Sequence, residues 1–185
     1  MALAFLDKIK WKHIFLLLLC FLCMMAIMRH TAAQVKNISG GTSILDLNFG
    51  NSPQHISHTI STLGEAGRKY YQTHFLIVDF FYAMVYALFY FWTILFLLHK
   101  NQIRKKSLFN ACIFPIVGML FDWLENLFIC LLIKNWTNQS ELLCTLFNIS
   151  NIIKFLFVYL SLLVVVLCFL YYFFQKICHI FKFTS

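Results

Sequence analysis

Four stretches of this chain, residues 14–28, 75–98, 108–133 and 152–174, are almost wholly apolar, with zero, one, two and one charged residues respectively. Such segments leave the backbone few choices. They are too apolar to stay in water, and inside a bilayer every amide and carbonyl must find its partner within the protein, which a helix achieves within one segment. A helix needs about 20 apolar residues to cross the hydrocarbon, usually 17–25. The last three stretches meet that length. The first is shorter, although Trp11 and His13 can extend it toward the interface.

That first stretch has two readings. A basic leader, a short apolar core and the small residues Thr31-Ala-Ala33 resemble a cleavable signal. The leader is long and the apolar run sits at the upper limit for a signal core, which favours an uncleaved anchor. With 61% hydrophobic and 12% charged residues, the whole chain lies far from soluble-domain averages. The expectation is an all-α, polytopic membrane four-helix bundle, a single domain over residues 1–185, with one amphipathic helix in a 29–74 outer loop.

The net charge of +8 would point a soluble domain toward nucleic acid. Here the cations flank apolar segments, so they report topology, and nucleic acid is not expected as a partner. Lys8, Lys10, Lys12, Lys100, Arg104, Lys105, Lys106, Lys176 and Lys182 fall on one side; Arg29, Lys36, Arg68, Lys69 and Lys134 are spread over longer loops on the other. The denser side should be cytoplasmic, which puts both termini inside.

Within the outer loop, Ser52 can cap a helix, Pro53 suits its first turn and Gly64 ends it. Ile56, Ile60 and Leu63 then share one face. From Glu65 the chain runs without a breaker into the second span, placing Tyr70, Tyr71 and His74 at the interface. His55 and His58 have metal-ligand spacing, with His74 or Asp46 as further donors, but no third ligand is fixed. A solvated helix face is the better reading, and neither a metal site nor a cofactor is expected.

Three of the seven acidic residues, Asp79, Asp122 and Glu125, lie inside the apolar stretches. A charge at the bilayer centre costs at least ~2.5–3.5 kcal/mol on insertion scales, so such groups face a protein interior or a wet cavity. Counting from residue 133 as the outer end, Glu125 lies ~12 Å and Asp122 ~16 Å deep. Asp122, Glu125 and Asn126 share a face by spacing, and Asp79 begins a stripe continued by Tyr82, Tyr86 and Tyr90. Lys154 and, one heptad deeper, Ser161 face them from the fourth helix. These residues are expected to form a polar pocket holding a proton, a cation or a lipid-like amphiphile. The competing expectation is that the polar groups only fix helix register. Pro115 and Gly118 are expected to kink the third helix.

Cys20 and Cys23 have redox spacing but lie within the first apolar run, where a thiolate is disfavoured. A disulfide between Cys130 and Cys144 is possible outside. Asn37, Asn135 and Asn138 stand in glycosylation sequons. No nucleotide-binding, hydrolase or metalloprotease motif occurs, so an enzyme acting on a lipid or quinone ranks third. The leading function is ligand binding or transport through the outer-half pocket, with the bilayer and a small amphiphile as partners. The alternative is a non-catalytic accessory or assembly subunit of a larger membrane complex.

Overall fold

A computed structural model describes residues 9–45, 51–103 and 106–183. Lys8, Asp46, Arg104 and Lys105, used above for topology or as a metal donor, lie outside the described residues, as does the apolar island beyond Leu45.

The first apolar stretch forms α1, Trp11–Ile38, a helix of 28 residues. Thr31-Ala-Ala33 is helical, and Val35 beyond it is wholly buried, so a cut after Ala33 would separate α1 from a core that its last turns help to line. Helix α2, Pro53–Thr62, opens with the Ser52 hydroxyl accepting the His55 N–H at 3.1 Å. It buries Ile56 and Ile60 completely. Gly64, at φ +65°, makes the corner into α3, Gly64–Tyr70, a backbone angle that L side chains resist.

A π turn, Tyr71–Phe75, joins α3 to α4, Leu76–Lys100. It turns both Tyr71 and Phe75 into the interior, each 0% exposed. Tyr71 is therefore not an interfacial residue; its hydroxyl accepts the Leu45 N–H at 3.2 Å. Its neighbours Tyr70 and His74 stack on each other at 4.5 Å on the outer face of the turn.

The third stretch differs from expectation. A short α5, Lys106–Phe109, and a 3-10 turn, Asn110–Ile113, precede α6, Phe114–Lys134. Pro115 sits in the first turn of α6, where its missing N–H breaks no helical bond, so it starts the helix instead of kinking it. Gly118 serves close approach: a Cβ there would lie 3.3 Å from Val158 Cγ2 and 3.6 Å from the Val158 backbone nitrogen. The last helix, α7, Glu141–Phe183, has 43 residues, ~65 Å at helical rise.

Helix α4 is central and packs against α1, α6 and α7, while α6 and α7 share the most extensive contact. An apolar cluster at the loop end gathers Val35, Ile56, Ile60, Tyr71, Phe75, Ile129 and Phe147. A second cluster near the termini gathers Ile14, Ile94, Phe96, Leu97, Cys112 and Cys168. Trp11 on α1 reaches Phe169 and Tyr172 on α7 at that end, at ring distances of 6.3 and 5.7 Å. No strand occurs among the described residues.

Candidate functional site

Between the two clusters α1 and α7 are held apart, and a cavity of about 390 Å³ fills the gap. Its walls follow helical spacing. Phe21, Met25, Met28, Arg29 and Ala32 come from α1; Asp79, Tyr82, Tyr86 and Tyr90 from α4; Asp122 from α6; Lys154, Phe155 and Val158 from α7; Ile44 caps the loop end. On α4 the lining spans twelve residues, Asp79 to Tyr90, about 16 Å of rise. Helix α1 runs antiparallel beside it. Asp79 and Arg29 therefore stand toward the loop end, and Phe21, Tyr90 and Val158 lie at the opposite end. Arg29 is exposed while Met25 and Phe155 are half-buried, so the cavity reaches the surface between α1 and α7.

The charged part of the cavity is organised around Lys154, which is 6% exposed. Its ammonium forms an ion pair with Glu125 Oε2 and lies 3.5 Å from Asp122 Oδ1. Asn151 Nδ2 donates to Glu125 Oε1 at 2.8 Å, and the Tyr86 hydroxyl donates to Asp122 Oδ2 at 3.0 Å. The result is a connected polar network joining α4, α6 and α7. Such a network is favourable only when its members are satisfied, since an unpaired buried charge is costly.

Within this network the two neighbouring acids separate in role. Glu125 is 0% exposed and lies behind Lys154, away from the cavity wall. Both of its oxygens are engaged, by Lys154 and by Asn151. Asp122 shares the lysine but lines the cavity.

Other expected members lie elsewhere. Ser161 is buried, but its hydroxyl donates to the Phe157 carbonyl at 2.7 Å, a local bond within α7, and it is not among the cavity-lining residues. Asn126 lines a separate groove of about 350 Å³ between α4 and α6, with Gln72, Phe80, Trp123 and Cys130. Trp123 stacks on Phe80 at 4.6 Å and donates its Nε1–H to the Phe80 carbonyl at 3.2 Å. The Asn126 amide has no hydrogen-bond partner among the described residues.

Cys130 and Cys144 are free thiols, not a disulfide. Cys130 borders the α4–α6 groove, whereas Cys144 is buried in the loop-end cluster at the start of α7. His55 and His58 line a surface cavity with Gly40, Gly41, Thr42 and Ser43. No group of three potential metal ligands occurs among the described residues.

Three participants were not foreseen from sequence: Arg29, Asn151 and the α1 face of Phe21, Met25 and Met28. Arg29 had been counted only as a flanking charge, although Phe21, Met25 and Arg29 recur at intervals of four. Asn151 precedes Lys154 by three, one helical turn, which was the available signal.

Among the described residues, four helices are long and apolar enough to cross a membrane. Large apolar side chains such as Phe15, Leu16, Leu156, Leu163 and Leu170 point outward, each more than half exposed. The class these features fit is a multi-pass integral membrane protein with a partly charged internal cavity. Comparison with protein families, curated proteins and solved structures yields no match, and the functional reading rests on the cavity itself.

Proposed function

We propose that this protein binds, and passes laterally between α1 and α7, a small amphiphile held in the outer half of a bilayer. In this reading the four long helices form a transmembrane bundle, both termini are cytoplasmic, and Asp79, Asp122 and Glu125 are intramembrane carboxylates. The observation that carries the proposal is the polarity gradient along the cavity. Arg29 and Asp79 stand toward the loop end, Asp122 and Lys154 lie level with Tyr86 at mid-length, and Tyr90, Phe21 and Val158 finish the opposite end. A lipid in the outer leaflet has the same order from head group to tail. A proton or a bare cation is served less well, because a largely apolar cavity of about 390 Å³ falls within the ~300–1,000 Å³ range of small-molecule sites.

The roles follow from the geometry. Asp79, Asp122 and Arg29 meet the head group, Glu125 and Asn151 hold Lys154 in place, and the aromatic wall receives the chain. Met25→Trp, which fills the cavity from the exposed helix, tests this. Amphiphiles added to the purified protein at a hundred times Kd should stabilise wild type by ~2.7 kcal/mol through mass action and leave Met25→Trp unmoved. Equal shifts in both proteins, or none in either, would sink the proposal.

The second reading, an assembly subunit, is favoured by one observation. The buried Asn126 amide offers both a donor and an acceptor beside the α4–α6 groove. A polar side chain from a neighbouring transmembrane helix would satisfy it.

A further inference from the structure

The groove between α4 and α6 calls for a partner that the chain itself can supply. Resting on the assembly reading above, we infer that a second copy of this protein docks there, the two joined by reciprocal hydrogen bonds between their Asn126 amides. Copies of one membrane chain insert in the same orientation. The two-fold axis relating them therefore lies along the bilayer normal, and their α6 helices run parallel.

Asn126 is 8% exposed, and neither its Nδ2 nor its Oδ1 has a partner among the described residues. A buried amide in that state is costly, and hydrocarbon offers it no water. The torsion that orients the amide is a broad one in asparagine, so the group can turn toward the groove mouth. What it needs is one acceptor and one donor side by side. A second asparagine presents that pair in the reverse order, so two facing Asn126 side chains each donate an N–H to the other's carbonyl oxygen. A single asparagine in the seam of paired helices is also a device that fixes register and copy number.

The rest of the groove favours a copy of the same chain. None of its lining residues is charged, so a symmetric approach brings no like charges together. The α1–α7 side, lined by Arg29, Asp79, Asp122 and Lys154, would set each charge against its own kind. Trp123, Asn126 and Cys130 line the groove at intervals of three and four, the spacing of a seam between paired helices. Trp123 is fixed by its stacking on Phe80 and its bond to the Phe80 carbonyl, which gives the seam one rigid edge. About an axis through the Asn126 pair, each Cys130 faces its own copy one turn nearer the loop end.

The experiment uses the full chain in phosphatidylcholine vesicles, with the exposed thiols removed as Cys20→Ala, Cys23→Ala and Cys178→Ala. A short bismaleimide should link Cys130 to Cys130, giving a dimer that persists when the vesicles are diluted about tenfold with further lipid. Cys130→Ala should abolish the link. Asn126→Leu should raise the dimer dissociation constant about tenfold, the order expected for losing two hydrogen bonds between membrane helices. Leu127→Trp should do at least as much by blocking the groove from its rim, where Leu127 is 52% exposed and its replacement leaves the core intact. Cross-linking that survives Cys130→Ala, or that neither groove variant weakens, would overturn the second copy as occupant. A single chain carrying a different polypeptide in equal amount, released by Asn126→Leu, would overturn it too while leaving the assembly reading intact. A wild type that scatters light as one chain in mild detergent, with no companion and no cross-link, would overturn both.

Discussion

Glu125→Gln isolates the buried ion pair from the cavity-lining wall. In the wild type Glu125 is fully enclosed, pairs with Lys154 and accepts from Asn151. Gln at this position keeps the shape and an oxygen for Asn151, but turns an amide N–H₂ toward the lysine ammonium. Lys154 then keeps Asp122 at 3.5 Å. Breaking a buried pair by removing one partner costs about 3–5 kcal/mol, and the remaining aspartate sets the expectation near the lower end, at about 3 kcal/mol. For a chain of this size that is a fall in Tm on the order of 6–12 °C. A thiol-reactive fluorophore provides the assay, because Cys112, Cys144 and Cys168 are buried free thiols that unfolding exposes. Asp122→Asn provides the contrast: the amide oxygen can still accept from Tyr86, Lys154 keeps Glu125, and the loss should stay near ~1 kcal/mol. If Glu125→Gln melts at or above the wild-type temperature, or if Asp122→Asn is the more damaging change, the division of roles between these acids is refuted.

Gly118→Leu should separate α6 from α7, since even a Cβ would press on Val158; overpacking of this kind costs about 1–3 kcal/mol and should appear as a lower Tm together with weaker amphiphile binding. Asn126→Leu should leave the isolated protein as stable as wild type or up to ~2 kcal/mol more so, because it removes a buried amide lacking a partner; loss of a stoichiometric membrane subunit on mild-detergent purification of this variant would establish the assembly reading, and an unchanged elution profile would remove it.

Much of the fold was legible because its determinants are local. Apolar runs of sufficient length identify the four long helices, and Ser52, Pro53 and Gly64 mark the ends of the short one through capping and backbone angle. The limits of α6 and α7 were less legible. Pro115 is compatible with a kink or a start, and only the preceding 3-10 turn decides between them. The start of α7 at Glu141 depends on Cys144 and Phe147 finding the loop-end core, a tertiary contact that no local pattern announces. At the site, the charged residues were visible by their rarity in apolar sequence. Spacing placed Asp122, Glu125 and Asn126 on one face. Neighbouring helices meet that face from different sides, so the three residues reach a cavity, a buried ion pair and a separate groove. Arg29 both flanks α1 and lines the cavity, and a cation at the end of an apolar helix reads first as a topology signal.

The π turn at Tyr71–Phe75 gives the cavity a dependence on residue number as well as residue identity. Successive residues of an ordinary helix are about 100° apart, so an extra residue in one turn advances the angular phase of everything that follows. The Asp79–Tyr90 stripe is thus indexed to α2 and α3 by a one-residue vernier. Removing any single residue between Tyr71 and Phe75, however bland its side chain, would leave each helix intact yet swing both the acid and the tyrosines away from the lumen. A length change here would re-face the whole cavity wall in one step, where a substitution alters one side chain.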